Sequence, residues 1–206
     1  MDNRAPAWWL GIDPARAGAA VLLDPGGVPV VAYCWRPRSR GGAGYYEVAL
    51  VQEGGHQRRE QVPTLGRVGA VLAASVPRVA GGARLGLAVE APYVSRLNPG
   101  TGLGVAITTG KLVGPLEELV TAQVHVKAAE WRQELLGLHH RTPRDRCKRV
   151  SLAVVPQRLP ALAGLLARVA GLLGSRPAKL DHVTDAGGVA EYGYLHGEEV
   201  AGAAAD

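Results

Sequence analysis

Phenylalanine is absent from these 206 residues, methionine occurs once and cysteine twice. The two cysteines, Cys34 and Cys147, lie far apart. They exclude a disulfide framework and a paired-cysteine metal site, and they fit a reducing compartment. No apolar run approaches the roughly 18–20 residues of a membrane-spanning helix, and no basic-then-apolar leader is visible. The expectation is a soluble, unexported, cytoplasmic chain with no membrane partner. The missing Phe beside 28 glycines fits the codon bias of a GC-rich genome and carries no function.

What is present is a chain 47% hydrophobic, enough for one sizeable core. Its net charge of +5 permits a nucleic-acid partner without demanding one. The organising stretch is Trp8-Trp9-Leu10-Gly11-Ile12-Asp13-Pro14, followed by Gly18-Ala19-Ala20-Val21-Leu22-Leu23. Two apolar runs are broken by Pro14 and relieved by Gly18, which predicts a hairpin with Asp13 at the end of a buried strand. A lone buried carboxylate is costly unless a cation or several donors meet it. The alternative is a turn-forming Asp, because Asp-Pro is common in loops.

Residues 28–35 read as a third strand, 36–42 as a basic flexible loop, 45–51 as a short strand and 54–60 as a polar link. Apolar spacing predicts a helix over 62–76, ended by Pro77. Residues 84–90 are nearly all apolar, as in a central strand covered on both faces, and end on Glu90. A long helix is expected over 101–120, its glycines Gly104, Gly110 and Gly114 compensated by close packing on the sheet. A strand follows over 121–126, then helices over 127–136, 144–155, 159–173 and about 182–196. Antiparallel strands followed by strand–helix alternation predict a mixed α/β sheet with helices on its faces. One domain over 1–199 and a frayed tail over 200–206 are expected.

Asp13, Glu90 and Asp185 stand out, two at the ends of expected neighbouring strands and one at the start of the last helix. Clustered carboxylates repel one another and are tolerated mainly around a divalent cation, and all-oxygen sites suit Mg²⁺ or Mn²⁺. Two such ions can activate water and stabilise the leaving oxygen in phosphodiester hydrolysis. The bland alternative makes Asp181 a helix cap and Asp185 a solvated surface residue.

The order Gly11-Ile12-Asp13-Pro14-x-x-x-Gly18-Ala19, then Val89-Glu90-x-Pro92, then His182-x-x-Asp185-Ala186-x-x-x-Ala190-x-Tyr192-Gly193 resembles the RuvC-type Holliday junction resolvases, above all their compact bacteriophage forms. The resemblance implies a ribonuclease H-like, mixed five-stranded sheet with helices on both faces. It implies a metal-dependent endonuclease that resolves four-way DNA junctions by paired symmetric nicks, using two Mg²⁺ or Mn²⁺ ions, as a homodimer matched to a two-fold substrate. Asp13, Glu90, His182 and Asp185 take the catalytic and metal-ligating positions. Tyr93 falls where the family places an aromatic wedge. Lys127, Trp131, Leu136-Gly137 and Lys148 resemble the middle block of phage members, and Gly110-x-x-x-Gly114 resembles the helix beside the active strand. Ala15 in place of Gly, Gly187-Gly188 in place of bulky residues, and the segment 36–60 depart from the pattern.

Either Asp181 or His182 can share a helix face with Asp185, since one residue turns about 100°. Asp181 is expected to cap the helix. The family register, which carries Asp or His three residues before the last Asp, gives the metal position to His182. Between residues 127 and 149 lie Lys127, Arg132, Arg141, Arg144, Arg146, Lys148 and Arg149 against Glu130, Glu134 and Asp145, most of the net positive charge. Such a patch binds phosphates with counterion release. Tyr93, Arg96, Lys111, Lys127, Arg144 and Lys148 are the expected DNA contacts. His139-His140 with Cys147 matches no zinc-ligand spacing and is read as a loop.

Rival functions keep the fold but change the substrate, to other branched DNA, RNA–DNA hybrids or structured RNA, or reduce the protein to a non-cutting junction binder. A sugar-kinase or actin-like fold shares a Gly-Ile-Asp start but needs a duplicated second domain, for which 206 residues leave no room.

Overall fold

The structure is a computed structural model and describes residues 6–40, 43–91 and 99–203. Its frame is a seven-stranded sheet in the order β5-β4-β3-β2-β1-β6-β7. Strands β1 (Trp8–Asp13), β2 (Gly18–Leu23), β3 (Pro29–Arg40), β4 (Ala43–Gln52) and β5 (Gln57–Val62) run antiparallel in succession. Helix α1 (Leu65–Ala80) crosses to β6 (Leu85–Glu90), which lies parallel to β1 and to β7 (Val120–Val126). Helix α2 (Pro99–Val113) and a 3₁₀ turn (Gly114–Leu119) precede β7. Helices α3 (Ala128–Leu136), α4 (Arg144–Arg158), α5 (Pro160–Leu173) and α6 (Asp181–Ala203) follow.

The α/β class and mixed sheet are as expected, but the sheet has seven strands where five were expected. The basic segment 36–40 is not a loop: it continues β3 and pairs with β4 as far as Arg40↔Ala43. The polar stretch 54–60 is not a mere link either, because 57–62 forms the edge strand β5. Polar side chains suit an edge strand with one solvated face, so polarity hid it. Helix α1 runs through Pro77 to Ala80 rather than stopping there. Pro77 removes one helical donor, yet buried Val76 and Ala80 anchor the last turn and Gly81, in left-handed conformation, closes it on the Pro77 carbonyl. Helix α6 is helical to Ala203, covering the start of the expected tail, and 204–206 lie outside the described residues.

Two apolar layers cover the sheet. Leu10, Ile12, Tyr33, Trp35 and Leu87 pack under α1 and the end of α2, while Trp9, Ala88, Trp131, Leu162, Val183 and Ala190 pack under the helices from α3 to α6. With period-two alternation, Asp13 and Glu90 project on the second side, beneath α6. Contact there is close. A Cβ on Gly11 would collide with the backbone of Ala186 and Ala190, so α6 rests directly on β1. Gly188 leaves space for the Trp131 ring and Gly187 for Leu162, which accounts for small residues where bulky ones were expected. The expected close packing of Gly104, Gly110 and Gly114 is absent, since a Cβ at each meets open space. The tight approach is instead at Gly69 of α1, against the carbonyls of Lys111 and Leu112.

Candidate active site

Parallel pairing of Ile12 with Val89 places the next residues, Asp13 and Glu90, side by side at the same end of neighbouring strands. The turn beyond Asp13 is held by the Trp35 indole, whose Nε1 donates to the Ala15 carbonyl at 3.1 Å. No described non-glycine residue has a positive φ, so Ala15 stands without strain where the family pattern has Gly. Helix α6, seated at Gly11, brings His182 and Asp185 over the two strand ends. Asp13, Glu90, Asp181, His182 and Asp185 line one cleft of about 550 Å³, together with Arg132, Arg144 and Lys148.

The cleft is a lattice of opposite charges. His182 Nδ1 lies 2.6 Å from Asp13 Oδ2. Arg132 Nη2 stands between two carboxylates, 2.9 Å from Asp185 Oδ2 and 3.3 Å from Glu90 Oε1. Trp131 Nε1 donates to the same Glu90 oxygen at 3.3 Å, and buried Ser151 donates to Asp185 Oδ1 at 2.6 Å. Lys148 Nζ meets Asp181 Oδ2 at 2.6 Å. The Asp181 carboxylate is therefore spent on Lys148 inside the cleft rather than on a helix cap.

Charge crowding shows in the protonation equilibria. Burial, then the neighbouring Asp13 and Asp185 charges, push Glu90 up to about 7 against the pull of Arg132. Burial likewise raises Asp185, with Arg132 and Ser151 opposing. For His182 burial acts downward, but the hydrogen bond and charge of Asp13 outweigh it and favour the imidazolium. Burial would raise Asp181, yet Lys148 and His182 hold it below the usual carboxylate range.

Oxygen donors with one imidazole suit a hard divalent cation. Among the described residues, however, no three His, Cys, Asp or Glu side chains stand close enough to share one ion. Arg132 supplies the positive charge between Glu90 and Asp185, and its Nε is buried without a hydrogen-bond partner.

Of the expected DNA contacts, Arg144 and Lys148 line the cleft, while Lys111 and Lys127 are exposed outside its lining. Lys127 pairs with Glu130 at 2.7 Å. Tyr93 and Arg96 lie outside the described residues. His139, His140 and Cys147, read as a loop, also line the cleft. Sequence reasoning missed the roles of Arg132 and Ser151. Arg132 was one cation among many, and a buried serine on a helix leaves no signal at all.

No protein-family model matches the chain, and no curated protein matches it. Two solved structures are similar in chain path. A Thermus thermophilus RuvC structure has 17% identity and a TM-score of 0.46, covering 94% of this chain and 97% of that one. A second, of T. thermophilus RuvC in complex with a Holliday junction substrate, has 16% identity and a TM-score of 0.43, covering 92% and 94%.

Proposed function

We propose that the chain is a metal-dependent endonuclease that resolves four-way DNA junctions by paired symmetric nicks. The observation that carries this reading is the meeting of Asp13, Glu90, His182 and Asp185 in one cleft flanked by Arg132, Arg144 and Lys148. Acids alone would repel a phosphodiester; acids beside an open cationic rim can hold metal and backbone together.

Asp13, Glu90, His182 and Asp185 would hold Mg²⁺ or Mn²⁺, two ions per site, on drawing closer together than they stand here, where Arg132 bridges two of them. Such ions, when bound, polarise the phosphoryl group and make water nucleophilic at neutral pH. The chain's own residues do the rest. Asp13 orients His182 through Nδ1, which leaves Nε2 either to ligate the metal or to deliver a proton at the leaving oxygen. Ser151 fixes the Asp185 carboxylate, and Trp131 fixes that of Glu90. Arg132 separates the charges of Glu90 and Asp185, and its guanidinium would also be placed to meet a phosphate in the cleft. Leu103 and Ile107, 63% and 50% exposed one turn apart on α2, are an apolar pair that a homodimer would cover.

The test is cleavage of a labelled four-way junction in Mg²⁺ and separately in Mn²⁺, beside flaps, forks, RNA–DNA hybrids and linear duplex. Paired nicks opposite one another across the junction support the proposal. Preferred cutting of a hybrid or flap would reassign the substrate, and tight binding without nicks in either metal would make the protein a junction binder.

A further inference from the structure

Strands β3, β4 and β5 carry a charge pattern of their own. Across the sheet, Asp13, Ala19, Cys34, Ala49 and Arg59 stand in one row. Strand β1 ends there, but β3 and β4 stay paired for six more residues, Trp35 to Arg40. At about 3.3 Å per residue the ribbon reaches roughly 20 Å past the catalytic strand end. Period-two alternation puts Arg36, Arg38 and Arg40 on the same face as Cys34, the face on which the cleft lies.

Charge on that face is unbalanced. Glu47, 1% exposed, is the one carboxylate that Arg36, Arg38 and Arg59 all engage. Arg36 also donates to Ser175 Oγ at 2.7 Å and to the Leu173 carbonyl, and Arg59 donates to the Leu172 carbonyl at 3.1 Å. These contacts lock the guanidiniums at the end of α5 while leaving the Arg38 and Arg59 side chains 46% and 49% exposed. Arg40, exposed, makes no ion pair among the described residues. Exposed Arg176 and Lys179 lie in the segment between α5 and α6, which joins the Ser175 contact to Asp181 in the cleft.

We propose that the β3–β4 ribbon, with Arg59, is a second nucleic-acid contact that grips the phosphate backbone of a duplex arm leaving the cleft. This rests on reading the cleft as a junction nuclease. A surplus of ordered guanidiniums, spaced about 7 Å apart along one face of a strand, matches the repeat of phosphates along a backbone. An arm running from the cleft reaches the ribbon tip after about 6 base pairs.

The experiment measures binding of a four-way junction with arms of about 20 base pairs in Ca²⁺ over a salt series. Wild type is compared with Arg38→Gln/Arg40→Gln and with Arg67→Gln/Arg78→Gln. The last changes net charge equally from α1, on the opposite side of the sheet. The ribbon variant should bind the junction about 5–20-fold more weakly, with a salt slope lower by about 2. The α1 variant should stay within about twofold of wild type. Should the double variant fold poorly, Arg40→Gln alone should lower the slope by about 1. Equal losses in both double variants, or a ribbon variant that binds like wild type, would overturn the proposal. So would an acidic protein partner displaced by the ribbon variant with DNA affinity unmoved. A wild type that binds no branched DNA would overturn the nuclease reading as well, a distinct result.

Discussion

In the cleft, Asp13, Glu90, Asp181 and Asp185 stand among Arg132, Lys148 and His182, which pair with them, and Arg144 on the rim. On the ribbon, the single carboxylate of Glu47 faces Arg36, Arg38 and Arg59. Both places bury charge on the same side of the sheet, but carboxylates crowd together in the cleft and guanidiniums on the ribbon. Burial, then the neighbouring Asp13 and Asp185 charges, raise Glu90 to about 7. Glu47 is also buried, which alone would raise it, yet its arginines hold it below the usual carboxylate range. Identical side chains thus respond to opposite surroundings. A cleft that crowds its acids together has use for a divalent cation, and a ribbon with guanidiniums to spare has use for an anion.

The largest effect should come from breaking the acidic pole at its histidine. His182→Ala is expected to slow junction cleavage at saturating DNA by at least about 100-fold, since it removes a metal ligand or a proton carrier. His182→Asp should recover much of that rate in Mg²⁺, and Asp181→Asn should be mild because Lys148 is its partner. An inactive Asp181→Asn beside an active His182→Ala would transfer the role to Asp181.

Removing the ribbon's one carboxylate tests the other pole. Glu47→Gln leaves three arginines crowded without a counter-charge. Urea unfolding should show a loss of about 2 kcal/mol, below the 3–5 of a fully buried broken pair because the arginines are partly exposed. An unchanged midpoint would mean that the cluster is solvated and the contrast between the two regions is false.

A smaller, pH-dependent effect sharpens the comparison. Glu90 titrates near 4.5 when unfolded and near 7 when folded, so the folded state binds the extra proton between those values. Stability is therefore fully present below about 4.5, falls as pH rises through 7, and stays reduced above it. Glu90→Gln, which cannot ionise, should be more stable than wild type at pH 8 by on the order of 1–2 kcal/mol, with the gain shrinking toward pH 4.5. Saturating Mg²⁺ should narrow the pH 8 gap by raising the wild-type melting temperature. A gap that widens toward low pH would contradict the crowding of Glu90.

Much of this was legible in the sequence. The break at Asp13-Pro14 and Gly18 specified the first hairpin, and the unbroken apolar run into Glu90 specified a strand covered on both faces. The acids could be found because strand ends and helix starts are local features. The ribbon could not, because Arg36, Pro37, Arg38 and Arg40 read as a loop until β4 pairs with them. Nor could the Arg132 bridge, which joins residues 42 and 53 positions away and depends on α3 seating against α6, where the Trp131 ring fills the space at Gly188. Long-range ion pairs leave no period in a sequence.

The central claim is tested most directly by Asp13→Asn, assayed for both cleavage and binding of one labelled four-way junction in Mg²⁺. The amide keeps the shape and loses the charge that would hold metal. The account predicts that paired nicking disappears, by a factor of about 1,000 or more, while junction affinity stays within a few-fold of wild type. Wild-type turnover by Asp13→Asn would remove the cleft from the chemistry and contradict the account.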